Sequence, residues 1–420
     1  MQVRPGLLYA YDAPRMIQEL LGEVEFLEYI LHSDRPSVTG HASWKAFLLP
    51  GPRSDMLLSA DASRGQLNAL SSRNTPDQTG IGVLPSGTAP IDVDSANASE
   101  NLSWISSKAT RTAENAFANW TATDDNQMNR TTTSVVETGL TVSFDSTFRS
   151  SSLGIQAGGS FLRLERIAPP GAMPGSTLQK QLNPRATAVF RYDIDKHWSV
   201  NLDGGAIYVN PIGSDKYNPG VALRAATFPI FGGLLAYTET WGRAALTARR
   251  SVTPDMFIAV DTVDDTLMTQ VAMPLPWLDD HPHARSPKLV GMGTLAVEHA
   301  QLIDPDTSML QGNFYLARAD VGVAWTPHPG QTYGLRYQLI YQHGNGGTAI
   351  LEPSFYTNTL FFTFSLRYPD RVAAQVPRRL DSVRADRKDL SPVGAEPVVP
   401  DPTEDLPLGD DSDGGDGRDR

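Results

Sequence analysis

The run DDHPH, with Asp279, Asp280, His281 and His283, has the residue types of a metal site. Pro282 and the polar surroundings put it in a turn, where solvated side chains need no metal. A second acidic run, DDSDGGDG at residues 410–417, lacks the full aspartate spacing and the closing bidentate glutamate of a calcium loop. His41, His299 and His343 have Ser and Asp elsewhere in the chain but no local motif for an oriented nucleophile. No metal, cofactor or enzymatic activity is expected. Asn97, Asn101, Asn119 and Asn129 match glycosylation acceptors, only mildly above chance in Ser/Thr-rich sequence and inert in a bacterial protein. The pairs Gly158–Gly159, Gly204–Gly205 and Gly232–Gly233 precede no helix, so they are bends or close-packed positions rather than phosphate loops. What remains is a set of polar residues at alternate positions of apolar segments: Glu137, Asp145, Arg185, Arg191, Asp203, Arg318, Asp320, Arg336 and Gln338.

Their neighbours explain the set. In QTYGLRYQLIYQ, Tyr333, Leu335, Tyr337, Leu339 and Tyr341 occupy every second position, with Gly334, Arg336, Gln338 and Ile340 between them. That is a β-strand with one apolar and one mostly polar face. VVETGLTVSF, SLGIQAGGSF, RATAVFRYDI, WSVNLDGGAIY, NFYLARADVGVAW and TNTLFFTFSLRY repeat the pattern over about ten residues each. Short connections such as Asp193–Lys196 and Thr240–Arg243 alternate with long polar ones, chiefly Ser63–Ser99, Arg166–Asn183, Val209–Pro219, Gln301–Gly312 and His343–Phe355. A soluble sandwich has no reason to alternate them. An up-and-down membrane barrel does.

The chain has 420 residues, a formal charge of −12, 40% hydrophobic residues and no cysteine. The acidic balance excludes a nucleic-acid partner, and no stretch reaches the roughly 18 apolar residues of a membrane helix. Met1 is followed by no signal-peptide pattern, as for a chain starting near a mature N-terminus. Strands are expected near 16–31, 37–48, 55–63, 99–107, 110–122, 132–146, 151–164, 184–194 and 197–209. Others follow at 220–240, 243–251, 256–273, 287–300, 313–325, 331–342 and 356–368. The reading is all-β: a transmembrane up-and-down antiparallel barrel of about sixteen strands, fourteen to eighteen being compatible with the pattern. An even count puts both termini on the short-turn, periplasmic side. Two segments are ambiguous. Asp261–Leu267 fits a bulge or a loop, and Arg15–Ser33 also has helical spacing at Met16, Leu20, Val24, Leu27 and Leu31. The domain plan is an N-terminal periplasmic segment at 1–14, the barrel at 15–368, and a basic, then acidic, disordered tail at 369–420.

Trp104, Trp198, Trp241 and Trp325 fall at short-turn strand ends, as does Trp277, where indoles prefer the headgroup level. The last strand carries Leu360, Phe362, Phe364, Leu366 and Tyr368. With this alternating, aromatic-ended strand the chain resembles bacterial outer-membrane β-barrel proteins, the porin-like ones in particular. The resemblance implies outer-membrane lipid as surroundings and a C-terminal strand read by the barrel-insertion machinery. It also implies passive passage of small polar solutes, the charged set above lining the pore. In that family the signal usually ends the chain; here about fifty residues follow, implying a periplasmic extension. The competing reading is a barrel without transport that binds a partner through its outer loops or tail.

Overall fold

The computed structural model describes residues 2–3, 5–13, 15–27, 37–66, 92–107, 109–124, 131–170, 175–213, 224–239, 242–255, 260–275, 288–303, 310–328, 331–345 and 354–366. The motif DDHPH, Trp241, Trp277, Asn129 and the whole tail lie outside them.

All described secondary structure is strand. β1 (Gln2–Val3) and β2 (Gly6–Ala13) share one register against β3 (Met16–Leu27), with the Pro5 carbonyl accepting from the Val24 N–H at 3.0 Å between them. They act as a single first stave. The sheet continues through β4 (Ser37–Gly51), β5 (Ser54–Gln66), β6 (Asp92–Ile105), β7 (Thr110–Asp124), β8 (Thr132–Phe148) and β9 (Ser151–Ile167). Next come β10 (Thr177–Asp193), β11 (Trp198–Pro211), β12 (Ala226–Glu239), β13 (Gly242–Asp255) and β14 (Val260–Pro274). β15 (Leu289–Ile303), β16 (Leu310–His328), β17 (Gln331–Asn345) and β18 (Phe355–Leu366) complete it. Each strand pairs antiparallel with the next, and β1 meets β18, closing an up-and-down barrel.

The barrel is polar inside and apolar outside. Buried polar side chains outnumber buried apolar ones among the described residues. Leu153, Ile155, Val321, Tyr337, Leu360 and Phe362 all face outward, Val321 at 63% and Leu360 at 68% exposure. On β17 the alternation is sharp: Tyr337 is 45% exposed and its neighbour Gln338 3%. The faces assigned from the sequence hold on every strand quoted above. A surface this apolar is a liability in water and is stabilised in hydrocarbon.

Aromatic rings mark the short-turn rim. Trp325, Tyr333 and Phe364 stack side by side across β16–β18 with centroids 5.5 and 5.0 Å apart, and Trp198 lies 4.7 Å from Tyr237. Trp104 joins them as an exposed indole. On β16, Tyr315 faces outward ten residues before Trp325. That is about 33 Å of strand, or about 25 Å of height at a tilt near 40°, which matches the apolar band of an outer-membrane barrel.

The structure departs from the sequence reading at the N-terminus and in the expected loops, and it settles the two ambiguous segments and the strand count. Gly6–Ala13, within the stretch assigned to an N-terminal segment, is strand: Leu7, Tyr9 and Tyr11 alternate, but Pro5 and Pro14 truncate the signal. Residues 16–27 are strand, not helix, and Asp261–Leu267 lies in β14 in unbroken register with β13. Much of the expected loops is ladder, since β6 begins at Asp92 and β10 at Thr177. Finally, among the described residues the staves number seventeen, within the fourteen to eighteen expected. An odd count sends residue 2 to the long-loop rim and residue 366 to the short-turn rim, where sixteen would have put both ends together. The first and last staves therefore run in the same direction, and they meet where β1 touches β18.

Tyr337 sits midway between Tyr333 and Tyr341, at the centre of the band. Tyr337→Arg should cost about 2–4 kcal/mol of barrel stability. Arg191→Gln, on the inner face but apart from the charged clusters, should leave refolding in detergent unchanged by heat-modifiable gel mobility. Equal behaviour of the two variants would mean that the faces are reversed.

Candidate functional site

The inner face gathers its charges into three groups, each spanning neighbouring strands. The first joins β5 to β8. Arg111 donates from Nη2 to Ser103 Oγ at 2.9 Å, and Ser103 donates to Asp55 Oδ2 at 2.9 Å. Asp145, 1% exposed, faces the same guanidinium. The carboxylate of Asp145 lies over its cross-strand partner Gly154, where any Cβ would overlap it. Gly232 makes the same room for Asp203. Gly232 is one of the glycines that the sequence left unassigned between bends and packing.

In the second group Arg185 lies between Glu137 and Asp203, which also faces Arg249, and donates to Thr141 Oγ1 at 3.0 Å. The third is the tightest. Asp320 accepts from Arg318 Nε at 2.7 Å, from Arg336 Nη2 at 2.7 Å and from Gln338 Nε2 at 3.1 Å. Arg336 also lies over the Phe361 ring at 5.8 Å. Arg191 stands apart near the short-turn rim, 4.0 Å from Asp193. Thus eight of the nine residues read from the sequence as a polar set fall into these groups, and alternation alone located them.

Other inner-face residues had no such signal. Arg111, Ser103 and Asp55 lie in strands with few large apolar residues. Asn97 donates to Asp61 Oδ2 at 2.9 Å and Asn115 to Asn101 Oδ1 at 2.6 Å. Asn97 and Asn101, noticed only as glycosylation matches, are amides of the inner wall. Among the described residues no three metal-ligating side chains converge.

Toward the long-loop rim the two faces exchange character. On β9, outward Phe161 gives way to Arg163 and Glu165, ion-paired at 2.5 Å, while inward Ser160 gives way to Leu162 and Leu164. On the outer face of β13–β16, Arg250 pairs with Asp265 at 3.2 Å. His299, stacked on Tyr315 at 4.8 Å, bonds Asn313 at 3.0 Å. This is where the strands leave the apolar band. Beyond it they pack like a water-soluble sheet, around Val135, Leu162 and Leu164 and around Ala300, Phe314 and Leu316.

The β13–β14 hairpin then leaves the wall. β12 pairs with β13 only as far as Phe231↔Arg250, although each continues beyond with its other neighbour. Val263 and Ile303 pack on Ile207, Val209 and Phe228 of the inner face of β11 and β12. Asp261, 3% exposed, hydrogen-bonds Gln181 of β10. The start of β14 is therefore tucked inside the long-loop mouth. Asp261 lies four residues beyond Asp265, which is level with Tyr315 through His299, so it is outside the apolar band. Burial pushes its carboxyl up to about 7, opposed by the Gln181 hydrogen bond and reinforced by Glu137 and Asp264.

No protein-family model and no curated protein matches the sequence. Solved structures do. The FrpB iron transporter from Neisseria meningitidis (F5-1 variant, apoprotein form) is 7% identical over 88% of this chain and 64% of its own, with a TM-score of 0.52. The alcaligin outer-membrane receptor FauA from Bordetella pertussis is 9% identical over 88% of this chain and 63% of its own, with a TM-score of 0.45. The chain spans between half and two thirds of the length of the first structures it matches. At these identities the likeness with FrpB bears on the fold, and the fold is that of an outer-membrane β-barrel.

The sign of the Asp261 effect follows from linkage. A carboxyl held near 7 when tucked, against an ordinary 3.8, keeps a proton that the untucked state releases. Tucking should be complete below about pH 4 and weaken progressively up to about pH 7. In this cysteine-free chain, spin labels on Tyr208→Cys and Val260→Cys should separate across that range, and adding Asp261→Asn should abolish the pH dependence. A distance that ignores pH in both backgrounds would contradict the assignment.

Proposed function

We propose that the chain is a channel of the bacterial outer membrane that passes small polar solutes, with the tucked hairpin narrowing its outer mouth. The observation that carries this reading is the inner face itself. Its charged groups of mixed sign, from Glu137 and Arg185 to Asp320 and Arg336, offer water-like partners to a polar solute and no catalytic arrangement. Asp145, Arg191, Asp203, Arg318 and Gln338 line the same path in this reading.

The short-turn rim, with Trp104, Trp198 and Trp325, faces the periplasm, and the long-loop rim faces the exterior. Outer-membrane lipid surrounds the band, and β18 is the strand that the insertion machinery reads. Residues 369–420, basic and then acidic in sequence, follow β18 on the periplasmic side. FrpB is a transporter by its own description, so passage of a solute is in keeping with the fold.

A second reading is a closed barrel that acts through its outer surface. The packing of Val263 and Ile303 against Ile207, Val209 and Phe228 favours it, because that cluster occupies the mouth.

Single-channel recording on protein refolded in detergent decides between them. The channel reading predicts discrete conductance steps, larger when Pro254–Asp261 is replaced by a two-residue turn that cannot reach the mouth. Silence from both proteins, each shown to be inserted, would leave the closed barrel.

A further inference from the structure

The inner wall at the outer mouth holds a cation with no counter-charge among the described residues. Arg166 points inward from β9 and is 8% exposed, yet no carboxylate among the described residues pairs with it, and its Nε has no hydrogen-bond partner. One rung of the sheet surrounds it: Thr123, Thr133, Arg166 and Thr177 are cross-strand neighbours in turn across β7–β10. Thr123 and Thr133 satisfy each other through their hydroxyls. The Thr177 hydroxyl does not have a partner, nor does that of Thr131, 8% exposed and on the same face two residues before Thr133.

Three side chains with an unpartnered hydrogen-bonding group, one of them a guanidinium, thus stand at neighbouring positions of the inner face. The inward residues beneath them are Val135, Leu164 and Gln179, all uncharged. Glu137, the inward carboxyl next along β8, is four residues from Thr133, roughly 13 Å of strand. A buried, uncompensated charge is strongly unfavourable. An oxyanion would relieve it, since guanidinium pairs with carboxylate or phosphate through two parallel hydrogen bonds.

We infer that Arg166, with Thr177 and Thr131, forms a binding site in the outer mouth for the anionic oxygens of a small solute, a phosphate or carboxylate group. The site faces the lumen, so its ligand arrives from solution rather than from the lipid. Thr177 and Thr131 supply donors on either side of the guanidinium, and the apolar residues below strengthen the charge-assisted bonds by excluding water.

The test is equilibrium binding of inorganic phosphate to the full chain refolded in a phosphate-free neutral detergent, read by broadening of the phosphate ³¹P resonance. Because it needs no conduction, its outcome is independent of the channel reading. Folded protein should give saturable broadening. Arg166→Gln should weaken binding at least tenfold and Thr177→Val several-fold, while Arg166→Lys keeps part of it. Arg163→Gln, which removes the outward-facing cation three residues away on the same strand, should change nothing. Heat-modifiable mobility checks the fold of each variant; should Arg166→Gln not fold, Thr177→Val and Arg166→Lys decide. No saturable binding by the folded chain, or undiminished binding by Arg166→Gln or Thr177→Val, would overturn the site.

Discussion

A backbone crossing hydrocarbon finds no water to bond its N–H and C=O groups, so every strand must be paired on both edges. The rest of this structure depends on that requirement. It forces the chain into one continuous antiparallel sheet from β2 to β18, and it forces that sheet to close. Closure fixes which face meets lipid, and the outward row of Leu, Val, Phe and Tyr follows from it. With seventeen staves, the first and last run in the same direction and meet where β1 touches β18. Both seam strands are exposed along most of their length, with Leu7 and Tyr356 the clearest cases, so they are the weakest part of the wall.

The polar interior answers a second constraint. Charges inside a narrow wall are stable only when partnered, and the groups around Asp320 and Arg185 are built across neighbouring strands to that end. Glycine does the spatial work at Gly154 and Gly232, where a side chain would displace the facing carboxylate. Above the apolar band the solvent changes from lipid to water and the alternation reverses. Leu162 and Leu164 turn inward on the same strand on which Leu153 and Ile155 turn outward. The tucked β13–β14 hairpin belongs to this water-exposed part, and its apolar cluster is an ordinary soluble core seated in the mouth of a membrane barrel.

How much of this was legible in the sequence follows from the same physics. Within the band, period-two alternation reports burial in lipid directly, so β8, β9, β11, β16, β17 and β18 were readable with the correct faces. Outside the band the signal is confounded. In Phe161–Ile167 both alternate sets contain apolar residues, because Leu162 and Leu164 pack inward while Phe161 and Ile167 stay outward. The strand therefore read as ending at Leu164, and Thr177–Asn183, polar but for Leu178 and Leu182, read as loop. Strands β6 and β7, rich in Ala, Ser and Asn, were located but not their role, since Arg111 and Asn97 gain meaning only from partners on neighbouring strands. Arg166 is the extreme case. Its isolation is a property of the rung it sits in, and no spacing in the sequence reports the absence of a partner.

The central claim is that one strand passes from lipid to water with its faces reversing character at the boundary. Spin labels placed singly along β16, from Gly312 to Trp325, would measure it through their accessibility to oxygen and to a water-soluble relaxant in a reconstituted bilayer. The account predicts period-two alternation from Tyr315 to Trp325, odd positions accessible to oxygen. It also predicts loss of oxygen accessibility at Asn313, with Phe314 shielded from both probes. Uniform access of the aqueous reagent along β16, or oxygen-accessible labels at Arg318 and Asp320, would contradict it.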